Sequence, residues 1–272
     1  MTFFQKHAYG IGCVFAALLW PFFGKRRRIS INNILKCQIT DDRSEARRIA
    51  KASWCHFAGH IAEALCVPNV VTRENWREHL DVSSIPPETS KMLLDAPDTP
   101  ILLVSSHHGV WEAATNILSF SRPMIAVARA MNNGLVARWM KNHHFRGPVT
   151  IVDKNNGMTT DVLRQWKREC SAMTLLVDQY AHRGPLLEFL GRPARTVTSA
   201  ARLAIRTGVP VVIGSFVRLA PYRYRLVGGD FLQFGPKDDV NTVAQTMNDR
   251  LGAVVRQYPE QYLWSHRRWR DD

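Results

Sequence analysis

His107 and Glu112 stand five positions apart, directly after the apolar run Ile101-Leu102-Leu103-Val104. An imidazole and a carboxylate at that spacing can approach each other where a buried strand ends and a helix begins. The carboxylate then holds the ring in one tautomer, and the ring can take a proton from a hydroxyl. In open α/β sheets such groups gather in the crevice beyond the carboxyl ends of the strands. With Gly109 as the helix start, His107 precedes the first turn and Glu112 lies within it. The plainer reading of the same residues is a capping histidine and a first-turn glutamate favoured by the helix dipole.

Other polar residues fall at the same edge. Asp178-Gln179 follows the apolar run ending at Val177, and Arg129 follows the run ending at Ala128. Phe189-Leu190-Gly191-Arg192-Pro193 reads as a turn, and Thr196 and Thr198 precede a helix start, a natural place to receive an anion. Each also has an ordinary structural reading: Asp178 capping a turn, Arg129 a solvated edge charge, Gly191 present for its backbone angles. Their convergence on one edge favours a site.

The elements that must position these residues alternate. Strand-like runs are Ile101–Ser105, Met124–Ala128, Val149–Val152, Thr174–Val177, Val209–Phe216 and Tyr224–Val227. Between and around them the pattern predicts helices over Asp41–Cys66, Trp111–Ser119, Leu135–Phe145, Met158–Arg168, Thr198–Thr207 and Val240–Tyr258. The stretch from Pro68 to Pro100 reads as irregular, broken by Pro86-Pro87. Short continuous apolar strands alternating with helices predict an α/β fold, a mostly parallel central sheet covered by helices on both faces.

The chain of 272 residues is long enough for a substantial core. Its net charge of +13 calls for an anionic partner: nucleic acid, a membrane surface, or a phosphorylated or acidic substrate. Five cysteines without CxxC spacing support neither a disulfide framework nor a zinc knuckle. Ala8 to Phe23 carries no charge, and Lys25, Arg26, Arg27 and Arg28 follow it. Charge after the apolar run, rather than before it, argues against a cleaved signal peptide. The run is shorter than the ~20 residues that span a bilayer, and Pro21 interrupts it. It reads as an N-terminal hydrophobic membrane-anchor helix, a short span or a helix lying in the interface, with the basic cluster on the cytoplasmic side. The competing reading is a hydrophobic helix docked on the protein's own surface. The expected organisation is residues 1–28 as anchor and basic flank and 29–272 as a single domain.

Taken in order, these residues resemble the late lipid A biosynthesis acyltransferases, bacterial membrane enzymes that move a fatty acyl chain from acyl carrier protein to a hydroxyl of the lipid A precursor. The family's HxGxWE motif stands here as His107-His108-Gly109-Val110-Trp111-Glu112, and its acidic-Gln step as Asp178-Gln179. The FFG-x-P turn appears as Phe189-Leu190-Gly191-Arg192-Pro193, followed by Thr196 to Ala204. The strand Thr207-Gly208-Val209-Pro210-Val211-Val212 and the aromatic and basic run from Pro259 to Trp269 are also similar. The chain departs from the family at His143, where an arginine is usual before Gly147, at Ala128-Arg129-Ala130, and at Leu190. These departures bear on the acceptor more than on the chemistry.

The resemblance implies O-acylation without cofactor or metal, on the cytoplasmic face of the bacterial inner membrane, with acyl carrier protein as donor and an anionic lipid as acceptor. His107 is the expected general base, oriented by Glu112. Arg129, Asp178, Gln179, Gly191, Arg192 and Thr196 are the expected substrate-binding residues. Acyl chain length and the choice between carrier protein and coenzyme A stay open, and a lysophospholipid or aminolipid hydroxyl would use the same machinery. Ser105 and Ser106 keep a Ser-His hydrolase in view, although direct attack by a bound hydroxyl needs no nucleophilic serine. A metal-dependent hydrolase using His107, His108, His143 and Glu112 lacks HExxH or comparable ligand spacing. A basic nucleic-acid-binding protein explains the charge but not the His-Glu pair, and no nucleic-acid motif is present.

Overall fold

Continuous apolar runs form the centre of the sheet in a computed structural model that describes residues 1–96, 98–128, 145–153 and 159–270. Arg129, His143 and nearly all of the expected helix at 135–145 lie outside the described residues. Strands β1 (Leu80–Asp81), β2 (Ile101–Ser105), β3 (Met124–Ala128), β4 (Val149–Asp153), β5 (Ala172–Leu176), β8 (Val211–Ala220) and β9 (Arg223–Leu232) join in the order β1-β9-β8-β2-β5-β3-β4. From β8 to β4 the neighbours pair parallel; β9 turns back antiparallel on β8, and β1 pairs parallel with β9. The α/β expectation therefore holds as a mixed, mostly parallel sheet. Every residue of β2 is buried, as a strand covered on both faces requires.

Some elements differ from the sequence reading. β6 (Leu186–Phe189) and β7 (Arg192–Arg195) form a separate antiparallel hairpin whose tip, Leu190-Gly191, has positive φ at both residues. That is the backbone of a tight two-residue hairpin turn, and it favours glycine. Pro87–Leu94 is a helix within the stretch read as irregular, opened by a proline at its first position. The helix after β2 begins at Trp111, not at Gly109. Gly109 lies in the left-handed region, φ 68°, and a Cβ built there would meet the Phe216 carbonyl oxygen at 1.9 Å.

Three helices make a layer at the N-terminal side: α1 (Phe3–Leu19), α2 (Gly24–Lys36) and α3 (Arg43–Ala64). α1 buries a stripe of small residues, Ala8, Gly12 and Ala16, against α3. Small residues let the backbones close up: a Cβ on Gly12 would stand 2.6 Å from the Ala58 carbonyl oxygen. The Trp54 indole N–H donates to the Ala16 carbonyl at 2.8 Å. Trp20, at the end of this segment, is buried in the main core with Ile34 and Ile49. The opposite face is apolar and open to solvent: Phe3, Val14, Phe15, Leu18 and Phe22 are each more than half exposed. Among the described residues no single helix is long and apolar enough to cross a membrane; α1 with its 3-10 extension and α2 form a pair bent by 100°.

Replacing Gly109 with alanine is expected to lower unfolding free energy by at least ~2 kcal/mol, because it adds left-handed strain to displacement of a β8 carbonyl. Thermal or urea unfolding checks this.

Candidate active site

Strand register brings the site together. In the parallel pair β2–β5, Ser105 lies opposite Leu176, so two residues further on His107 and Asp178 emerge side by side. Val177 N–H donates to the Ser105 carbonyl at 3.0 Å, continuing the ladder past the strand end. The His107 Nδ1 lies 2.8 Å from Asp178 Oδ1, and the His107 backbone N–H donates to Asp178 Oδ2 at 3.0 Å. A carboxylate only accepts, so Nδ1 carries the hydrogen and the neutral ring presents its lone pair at Nε2. Gln179 Nε2 lies 3.2 Å from that nitrogen. The Trp111 ring meets the imidazole edge-on, with centroids 5.4 Å apart.

Asp178 is buried, which works to raise its pKa, but the facing imidazole and the hydrogen bonds from His107 outweigh burial and hold the carboxyl below its usual range. Glu112 behaves oppositely. Burial raises its pKa, and the nearby His107 pulls it back only in part. The carboxylate hydrogen-bonded at Nδ1 is thus Asp178, whereas the motif alone had offered Glu112; Glu112 lies close enough to act on the ring through its charge.

The loop carrying His107 is held on all sides. Leu263 N–H donates to the His107 carbonyl at 3.0 Å, Gly109 N–H to the Gln261 carbonyl at 3.0 Å, and Val110 N–H to the Phe216 carbonyl at 2.7 Å. His108 turns inward, fully buried, and its Nε2 donates to the Tyr258 carbonyl at 2.9 Å. His107 and His108 therefore serve different partners. Behind Asp178-Gln179 lies a residue whose role the sequence reading missed. Arg268, fully buried, donates to the carbonyls of Gln179 (3.0 Å) and Arg195 and to the Thr196 hydroxyl (3.1 Å). Its signal was the C-terminal basic and aromatic run.

A profile of bacterial lipid A biosynthesis acyltransferases matches residues 3–271. The chain belongs to that family. Similar curated proteins are the lipid A biosynthesis palmitoleoyltransferase of Escherichia coli (strain K12) and a lipid A biosynthesis acyltransferase of Shigella flexneri. Each is 26% identical over 174 residues, 62% of this chain and 56% of the relative's length. The chain thus spans little more than half the length of the curated relatives it matches.

The remaining expected family residues are distributed unevenly. Asp178 and Gln179 meet His107 directly. Thr196 is buried; its hydroxyl donates to the Ala194 carbonyl at 2.9 Å and accepts from Asn248 and Arg268. Gly191 occupies the hairpin tip, and the Arg192 guanidinium lies 5.7 Å from the Trp269 ring centroid. Arg129 lies outside the described residues.

Two cationic pockets flank α2. One is lined by Lys25, Arg26, His266, Arg267 and Arg270, and its His266 is close enough to His107 and Asp178 to feel their charge. The other is lined by Arg27, Arg28, Arg43 and Arg47. A narrow apolar pocket including Leu103, Ser105, Trp111, Phe216 and Leu226 lies between the sheet and the helix at Trp111–Leu118.

The buried histidines give the fold a pH signature. Burial lowers the pKa of both His56 and His108 to about 4, whereas an unfolded histidine titrates near ~6.5. Between those values the unfolded chain takes up protons that the folded chain refuses, so stability must fall as pH drops from ~6.5 towards 4. Asp178 extends the loss below ~4, because its ionised form stabilises the folded state. His108→Gln, which keeps an N–H towards Tyr258, is expected to flatten the upper part of that slope in thermal melts at stepped pH.

Proposed function

We propose that this protein is a membrane-associated O-acyltransferase that moves a fatty acyl chain from acyl carrier protein to a hydroxyl of a lipid A precursor. The observation that carries the reading is the Asp178–His107 pair at the strand ends, within a chain of this family. Asp178 fixes the Nδ1–H tautomer, and His107 Nε2 takes the proton from the acceptor hydroxyl as it attacks the thioester carbonyl. The thiol of the carrier leaves, and the imidazolium returns the proton to it. In this reading the Gln179 amide occupies the position that the acceptor hydroxyl takes at Nε2. Glu112 adds negative charge that stabilises the imidazolium. The pocket of Lys25, Arg26, Arg267 and Arg270 is suited to the acceptor's phosphates, with guanidinium groups matched to phosphate oxygens. Arg129 and Arg192 remain proposed contacts to the acceptor or the acidic carrier.

In the same reading residues 1–28 form the membrane-facing flank of one catalytic domain, 29–272, on the cytoplasmic face of the inner membrane. α1 and its 3-10 extension lie in the interface with Phe3, Val14, Phe15, Leu18 and Phe22 in the lipid, because the other face of α1 is already packed on α3. Lys25, Arg26, Arg27 and Arg28 follow the bend and meet anionic headgroups, each contributing ~1 kcal/mol.

Purified full-length protein given acyl carrier protein thioester and lipid A precursor is expected to add the mass of one acyl chain to the lipid. His107→Ala should lower turnover on the order of 10²–10⁴-fold while the protein stays folded; near-wild-type turnover in that variant would remove His107 from the chemistry. Replacing Val14, Phe15 and Leu18 together with serine should weaken binding to anionic vesicles at least ~10-fold and leave a residual, salt-sensitive attachment. Flotation in low and high salt measures both.

A further inference from the structure

The membrane-facing helix also reaches the catalytic loop. Tyr9 lies on the inner side of α1, and its hydroxyl is 3.0 Å from His56 Nδ1 on α3. The other nitrogen of that ring, Nε2, is 3.1 Å from the carbonyl oxygen of Gly109, two residues after His107. A carbonyl only accepts, so Nε2 carries the hydrogen; in a neutral ring Nδ1 is then the acceptor, and the Tyr9 hydroxyl donates to it. One tautomer alone satisfies both ends. Burial keeps this ring neutral, with its pKa lowered to about 4.

A second route leaves the same tyrosine. The Arg218 guanidinium lies over the Tyr9 ring, 3.7 Å from its centroid, and is paired with the buried Glu63 at 2.8 Å. The backbone of Arg218 is bracketed by the Gln261 side chain, whose Oε1 accepts from its N–H at 2.9 Å and whose Nε2 donates to its carbonyl at 3.0 Å. Gln261 is in turn the residue whose carbonyl holds the Gly109 N–H. The hydroxyl and the ring of Tyr9 thus converge on the two polar groups of a single peptide residue, Gly109. That residue cannot relax by taking a side chain, because a Cβ would strike the Phe216 carbonyl.

We infer that Tyr9 and His56 are positioning residues for the His107 base, so that the helix facing the membrane is also part of the framework of the active site. The inference rests on the reading of His107 as the base. Neither residue touches the reacting atoms; both act through the Gly109 peptide, which fixes where His107 enters its contact with Asp178.

The test uses the full chain reconstituted in lipid, with wild type, His107→Ala, Tyr9→Phe, His56→Leu and His56→Gln compared over a range of donor and acceptor concentrations up to saturation. Tyr9→Phe keeps the ring over Arg218 and removes only the hydroxyl. His56→Leu keeps bulk without a donor, and His56→Gln keeps an N–H near the Nε2 position. Loss of one such hydrogen bond is expected to lower kcat by roughly three- to tenfold in Tyr9→Phe and His56→Leu, with both KM values unchanged, and His56→Gln should recover most of it. In ¹⁵N-histidine spectra His56 should be the Nε2–H tautomer in wild type and in Tyr9→Phe, with the Nδ1 resonance shifted in the variant because that nitrogen no longer accepts a hydrogen bond. Unchanged kcat in Tyr9→Phe and His56→Leu overturns the inference, as does a His56→Gln protein impaired as much as His56→Leu, since packing rather than the donated proton would then be at work. An inactive wild type, or an active His107→Ala, would instead remove the catalytic reading beneath it. Altered variants beside an active wild type and an inactive His107→Ala support both.

Discussion

The contact between His107 and Asp178 is the interaction on which the rest of the site depends. A buried carboxylate is costly unless it is paired and hydrogen-bonded, and Asp178 is satisfied twice by one residue, through the ring and the backbone N–H of His107. That arrangement requires two strand ends to be level, which the β2–β5 register provides, and it requires the turns after both strands to stay where the ladder leaves them. Arg268 fixes one turn from behind, through the Gln179 carbonyl. The C-terminal segment and β8 fix the other, through Leu263, Gln261 and Phe216. The left-handed turn at Gly109 follows from the same demand, since the loop runs so close to β8 that only a hydrogen fits.

The N-terminal layer answers a different constraint. α1 buries one face on the protein and leaves an apolar face exposed, the face proposed to meet lipid. α1 does so with small residues inward and large apolar residues outward, and the bend after Trp20-Pro21 turns the chain into the basic α2. Of the two readings offered by the sequence, docking on the protein is what α1 does through one stripe; the proposed attachment to lipid would use the other, exposed stripe. Eight lysine and arginine residues line the two pockets on either side of α2.

Much of the sheet was legible because its central strands are continuous apolar runs with few alternatives. β2, β3 and β4 lie where the pattern put them, within a residue. Residues separated by a few positions were also legible: the imidazole at His107, and a carboxylate near it. The partner on Nδ1 was not, because Asp178 is 71 residues away and reaches His107 only through a strand register that no local pattern prints. Asp178 was visible as an acid at the correct edge, and the nearer Glu112 was the natural partner when only spacing could be weighed. The hairpin at Leu186–Arg195 was hidden by its mixed polar composition, and Pro87–Leu94 by prolines that here open a helix rather than end one. Tyr9 and His56 gave no signal at all. Their role comes from helix packing in three dimensions, where an apolar stretch and an amphipathic helix each contribute one polar side chain to the same line of hydrogen bonds.

As the proposed base, His107 depends on Asp178 to hold it in the Nδ1–H tautomer. The most direct measurement is the turnover of folded Asp178→Asn beside folded Glu112→Gln, with acyl carrier protein thioester and lipid A precursor at saturation. An asparagine can keep the geometry yet present an amide N–H where the imidazole needs an acceptor, so Asp178→Asn should lose on the order of 10²–10⁴-fold in kcat, and Glu112→Gln markedly less. Wild-type turnover in Asp178→Asn, with the larger loss in Glu112→Gln, would contradict the account and return the orienting role to the motif's own glutamate.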